Sequence, residues 1–335
     1  MFDSPVILIA LVVLLALSFD FINGFHDTAN SIATSISTKA LPPWGAIILS
    51  AVMNFLGAML FTGVAKTIGG KIADPLNLDH GMYIVAAALI SGIVWNLITW
   101  YYGIPSSSSH ALIGSLAGAV IAAAGFEAVN FKGFFTIIEA LIVSPLIAFS
   151  TGYIIMLLIR IIFKNAHPAK INRRFRFLQI FTAAFQAFCH GTNDAQKSMG
   201  IITFALVAGG LQSDLEVPFW VKVSCALAMA MGTSVGGWKI IKTVGTQIIK
   251  LEPSNGFAAD IGSALIIILA TLFKLPVSTT HVISSSIMGV GTAKRISAVK
   301  WNTAEKIVLA WMITLPVTII FACLTYWVIS IILKI

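Results

Sequence analysis

The chain carries the same two polar signatures twice, each copy set in apolar sequence. Asn23-Gly24-Phe25-His26-Asp27-Thr28-Ala29-Asn30 returns as His190-Gly191-Thr192-Asn193-Asp194-Ala195-Gln196-Lys197. Pro105-Ser106-Ser107-Ser108-Ser109-His110 returns as Pro276-Val277-Ser278-Thr279-Thr280-His281. Between these signatures, residues 44–72 align without a gap on 220–248. A duplication of this length predicts two similar halves, 1–163 and 177–335. The joint between them, 164–176, is basic, with Lys164, Lys170, Arg173, Arg174 and Arg176.

Composition decides the solvent of those halves. Hydrophobic residues make up 58% of the 335 and charged residues only 10%, against about 25% charged in soluble domains. Apolar runs such as 82–102 and 307–333 reach the roughly 20 residues that a helix needs to cross the hydrocarbon core. The expected fold class is an all-α polytopic membrane protein embedded in the lipid bilayer. The net charge of +8 does not imply nucleic acid, because the basic residues collect in loops between spans. Cys189, Cys225 and Cys323 lie in apolar stretches and form no disulfide or metal pattern.

Counting crossings gives the topology. In the first half one span is expected over 5–38, broken near Gly24, and a second over 44–64. A helical hairpin over 82–125 is interrupted at Pro105, and a last span covers 133–163. If the hairpin is re-entrant, the half crosses three times. An odd number makes the halves antiparallel, which is the inverted-topology repeat of secondary transporters. With the basic joint in the cytoplasm, both termini lie outside and most of the 21 basic residues are cytoplasmic. Outside fall Lys66, Lys71, Lys132, Lys222 and Lys334, with Asp3, Asp74, Asp79, Asp214 and Glu216. The expected location is the plasma (inner) membrane, multi-pass. The two hairpin tips then enter from opposite sides and meet near the midplane.

Asp27 and Asp194 are carboxylates at matched positions in membrane sequence, where a charge costs about 2.5–3.5 kcal/mol on insertion scales. That cost calls for a partner. Na⁺ is a hard cation that takes oxygen ligands, and Asp27, Asn30, Asp194, Asn193 and Asn23 offer them. Carbonyls freed at helix breaks near Gly24 and Gly191 would add more. A proton on a buried carboxylate is the other coupling ion open to this site. The hydroxyl clusters, Ser106 to Ser109 and Ser278 to Thr280, each precede an apolar helix, whose unpaired N–H groups favour anions. Gln196 adds amide donors. Lys197 either offsets the charge of an anion or pairs with Asp194. His26 and His190 are candidate coupling residues, and His110 and His281 orient the tips, bind the anion or simply pack. No nucleophile–base array, Walker A loop or zinc spacing marks an enzyme.

These signatures resemble the inorganic phosphate transporter (PiT) family. Its duplicated G-A-N-D-V-A-N-like element reads here as 24–30 and 191–197, and its hairpin tips match P-x-S-[ST]-[ST]-H. The resemblance covers both halves. It implies cation-coupled uptake of inorganic phosphate, with Asp27 and Asp194 serving coupling ions and Ser107 and Ser278 lining the phosphate site. His26 and Lys197 each stand where the family usually has Asn, as in its bacterial branch, which includes proton-coupled members. The expectation is therefore a symporter of phosphate with Na⁺, working by alternating access, with no cofactor beyond the coupling ion. A proton-coupled phosphate or metal-phosphate symporter, a sulfate or oxyanion permease and an anion channel are the alternatives. A homodimer is an open assembly state.

Overall fold

Proline and glycine set where the helices begin and end. Proline's missing N–H costs nothing in a first helical turn, and Pro43, Pro168 and Pro253 occupy that place. Gly103, at φ +68°, ends another helix in the left-handed region that glycine tolerates. The computed structural model describes residues 5–72 and 80–334, and among these no strand occurs. Asp3, Asp74 and Asp79 lie outside the described residues. The first half runs α1 (Pro5–Ser37), α2 (Pro43–Leu60), α3 (Gly63–Lys71), α4 (Gly81–Tyr102), α5 (Ser108–Ala124) and α6 (Phe131–Ile162). The second runs α7 (Pro168–Ala208), α8 (Phe219–Val235), α9 (Trp238–Lys242) with a π-helical turn to Gln247, α10 (Pro253–Leu272), α11 (Thr279–Lys294) and α12 (Trp301–Leu333). Among the described residues six helices are long and apolar enough to span a bilayer, or seven if α8 and α9, bent by 66°, count as one.

The element order of the first half recurs in the second, down to single hydrogen bonds. Asn130 N–H donates to Ile72 O at 2.9 Å, and Lys300 N–H donates to Ile248 O at the same distance. The helices pack across the halves: α1 on α8, α2 on α7, α5 on α12 and α6 on α11. Most of the basic joint is helical, and Lys170, Arg173, Arg174 and Arg176 ride on the first turns of α7.

One expectation is corrected. The breaks anticipated near Gly24 and Gly191 are absent, and α1 and α7 run unbroken past both glycines. The glycines serve close approach instead. A Cβ on Gly24 would meet Met229 O and the Gly232 backbone of α8, and one on Gly191 would meet the Asn54 backbone of α2. Small residues let membrane helices approach backbone to backbone. No carbonyl is freed at these positions: Gly24 O accepts the hydroxyls of Thr28 and Thr233.

The hairpins form as expected, α4 with α5 and α10 with α11, each pair joined by a non-helical tip. Gly114 and Gly118 lie against the backbone of α12, and Gly289 against that of α6. Each hairpin is thereby seated on the last helix of the opposite half. Apolar side chains such as Leu146, Ile154, Ile320 and Val328 on α6 and α12 remain exposed, as a lipid-facing surface requires.

Candidate functional site

The two tips and the middles of α1 and α7 converge. Ser109 Oγ donates to Val277 O of the other tip at 2.9 Å, and the His110 and His281 rings lie 4.6 Å apart. The hydroxyl clusters cap their helices: Ser107 Oγ accepts from His110 N–H at 3.1 Å, and Ser278 Oγ from His281 N–H at 3.3 Å. Ser107 Oγ is engaged a second time, 2.9 Å from His110 Nδ1, whereas the cap at Ser278 leaves its hydroxyl proton for another acceptor. The tips are held from outside as well. Trp311 stacks on His281 and its N–H donates to Pro105 O at 3.1 Å.

Asp27 joins both halves. Its Oδ2 accepts from Ser108 Oγ of its own tip at 2.9 Å, and its Oδ1 from Thr280 Oγ1 of the other tip at 3.0 Å. His26 Nδ1 lies 2.9 Å from Oδ1, and its Nε2 lies 2.9 Å from Thr99 Oγ1 on α4. Ser106 Oγ donates to the same Thr99 oxygen at 2.9 Å. Asn30 Nδ2 donates to Thr280 Oγ1 at 2.9 Å and Thr279 Oγ1 at 3.4 Å.

Asp194 has equivalent neighbours and one different one. Its Oδ2 accepts from Thr279 Oγ1 and from Asn23 Nδ2, both at 3.3 Å. His190 Nε2 is 3.6 Å from the same oxygen. The imidazole is anchored by Nδ1, 3.0 Å from Asn54 Oδ1, so in the neutral tautomer that donates to Asn54 its Nε2 presents a lone pair to the site. Lys197 Nζ lies 2.8 Å from Asp194 Oδ1. The two atoms are not aligned for a hydrogen bond, and neither has another partner, so the contact is a charge pair. Asp27, Asp194, His190 and Lys197 are all at most 2% exposed. Ligand atoms of Asp27, His190 and Asp194 lie within 4.8 Å of one another, close enough to hold one cation.

A profile of the phosphate transporter family matches residues 23–322. The chain belongs to that family. A "Probable low-affinity inorganic phosphate transporter" of Bacillus subtilis is 59% identical over 98% of this chain and 99% of its own. One of the same description from Rhizobium meliloti is 45% identical, covering 93% of each. A solved structure described as "The sodium-dependent phosphate transporter" superimposes with a TM-score of 0.85 at 25% identity, covering 97% of this chain and 99% of that one. The chain is therefore a multi-pass phosphate transporter and not an enzyme.

Two of the expected site residues hold partners away from the paired carboxylates. Gln196, expected to donate to phosphate, instead accepts from Val64 and Ala65 N–H at the start of α3, while its amide donates to Thr192 O. Asn193 is engaged with its own tip: Nδ2 donates to Thr271 Oγ1 and Leu275 O, and Oδ1 accepts from Val277 N–H. It braces the second hairpin as His26 braces the first through Thr99. Two carboxylates escaped the sequence reading. Asp260 on α10 accepts from Thr34 Oγ1 at 2.6 Å, with Gln179 and Thr182 beside it. Asp20 on α1 is fully buried with neither oxygen hydrogen-bonded. Neither has a carboxylate counterpart in the other half, where Leu89 and Ala187 align, so the repeat did not single them out.

Proposed function

We propose that this phosphate transporter is a symporter of inorganic phosphate with Na⁺, working by alternating access between two inverted halves. The reading rests on one observation: the carboxylates of both halves converge beside two hydroxyl-rich helix N-termini. A cation between Asp27 and Asp194 takes carboxylate oxygens, with Asn23 and Asn30 at its edge. Phosphate takes donors from the first N–H groups of α5 and α11 and from the tip hydroxyls, Ser106 to Ser109 and Ser278 to Thr280, which on binding turn to it from the acceptors most of them hold here. Cation and anion then neutralise each other in a site closed to water, which is why each favours the other. The sodium dependence by which the solved relative is described supports Na⁺ as the driver.

The basic joint, 164–176, goes to the cytoplasm by the positive-inside rule, which puts both termini outside. A cavity of about 580 Å³ reaches Thr99 and Pro105 past Thr243, Gln247, Thr303 and Lys306. In this orientation it opens inward and is the route by which phosphate leaves.

A second reading, proton coupling, is favoured by the imidazole beside each carboxylate, His26 at 2.9 Å and His190 at 3.6 Å. Each pair can hold a proton in place of a metal cation. Uptake of labelled phosphate into proteoliposomes separates the two. With pH clamped, an inward Na⁺ gradient drives uphill uptake, and Asp27→Asn lowers it on the order of 100-fold. Uptake that ignores Na⁺ and follows an imposed pH gradient assigns proton coupling instead.

A further inference from the structure

Lys197 stands where the first half has Asn30, three residues after the matched aspartate in each case. The two side chains do different things. Asn30 is neutral and donates to the tip hydroxyls of Thr279 and Thr280. Lys197 places its ammonium 2.8 Å from Asp194 Oδ1, at 1% exposure, with no other partner. A lysine ammonium is a compact point charge on a flexible stem, and here it lies where a bare cation would sit on that oxygen. The other charged or titratable groups in its field are Asp20 and Asp27 on α1 and His110 on α5, with His190 on its own helix.

We propose that Lys197 is a resident cation that occupies the Asp194 side of the site, so that this chain takes up one coupling cation fewer per phosphate than it would with Asn at position 197. The proposal rests on the symport reading above. The two matched carboxylates, Asp27 and Asp194, call for two positive charges between them. Lys197 supplies one from its place on Asp194 Oδ1, and the carried cation, among Asp27, His190 and the other Asp194 oxygen, supplies the other. A second mobile cation about 4 Å from the ammonium would bind on the order of 10³-fold more weakly at an effective dielectric of about 20. The ammonium stays with the protein through the cycle, so its charge helps to hold phosphate without being transported. One fewer positive charge crosses per turnover, and the gradient of one cation fewer is available to concentrate phosphate.

The test is the Na⁺ dependence of phosphate binding to the purified full-length protein, at fixed pH with choline as the balancing cation. The slope of log phosphate affinity against log Na⁺ rises by one in Lys197→Asn and is unchanged in Lys197→Arg. The thermal midpoint of Lys197→Asn also climbs more steeply with Na⁺ than that of wild type, because a cation now binds the vacated oxygen of the folded state. An unchanged slope in Lys197→Asn overturns the proposal. So does loss of phosphate binding at every Na⁺ concentration in a folded Lys197→Asn, which makes Lys197 a phosphate ligand. In wild type, a Tl⁺ anomalous peak coordinated to Asp194 Oδ1 overturns it without any mutation, and a single peak among Asp27, His190 and Asp194 Oδ2, with none on Oδ1, supports it. If wild-type phosphate binding ignores Na⁺, the sodium reading fails, and the Lys197 proposal is still decided by whether Lys197→Asn gains a slope of one.

Discussion

The Asp27 and Asp194 halves of the site share a backbone plan and differ in charge. Both aspartates accept a hydroxyl from the hairpin of their own half, Ser108 at 2.9 Å and Thr279 at 3.3 Å. Both have an imidazole nearby. Asp27 is otherwise surrounded by neutral donors, whereas Asp194 faces a buried ammonium. The repeat thus supplies two equal frames, and the residue three after the aspartate, Asn30 in one and Lys197 in the other, sets an ammonium against the carboxylate in one of them alone. The frame fixes where charge sits. On the Lys197 proposal, the single residue decides whether that charge is carried or kept.

The largest effect that separates the halves is on stability. Asp194→Asn strands a buried ammonium, and removing one partner of a buried ion pair costs about 3–5 kcal/mol. Asp27→Asn leaves behind two hydroxyl donors and the His26 imidazole, at about 1–3 kcal/mol. Thermal unfolding in detergent should show the larger loss for Asp194→Asn, with most of it recovered in Asp194→Asn/Lys197→Met. Equal losses for the two single variants would break the comparison.

Where the halves are alike, they should respond alike. Gly24→Val and Gly191→Val each push a side chain into the backbone of a helix from the other half, at about 1–3 kcal/mol or more. Similar drops in folded yield, measured by size-exclusion chromatography, are expected for both. A drop for one alone would mean that the two crossings are not equivalent.

A smaller effect is expected at Gln196, whose aligned residue in the first half is Ala29. Gln196→Ala leaves the first N–H groups of α3 without their side-chain acceptor, at about 1–3 kcal/mol. Stability falls while phosphate affinity, measured on the folded fraction, is retained. A selective loss of phosphate affinity would return Gln196 to the binding site.

These contrasts mark what was legible in the sequence. Residues that recur at matched positions in apolar sequence pointed to the site, and Asp27, Asp194 and both hydroxyl tips do meet. Their meeting followed from the repeat, because both halves bring the same elements to the same place. The glycines misled because a local reading cannot tell a helix break from a close crossing. Gly24 is explained by Gly232, and Gly191 by Asn54, each far away in the chain. Asp20 and Asp260 were passed over for the converse reason, since attention to matched positions discards polar residues that one half alone carries. Gln196 sits within a signature motif, but its partners, Val64 and Ala65, are apolar residues whose backbone role has no mark in sequence.

The central claim is that cation and phosphate occupy one site built from both halves and strengthen each other there. Coupling of this kind is reciprocal in binding free energy. The direct measurement is equilibrium phosphate binding at increasing Na⁺, paired with Na⁺ binding at increasing phosphate, on the same purified protein at fixed pH. The account predicts that each ligand raises the affinity of the other by the same factor, and that Asp27→Asn abolishes both effects. Phosphate affinity that stays constant when Na⁺ is replaced by choline would contradict it.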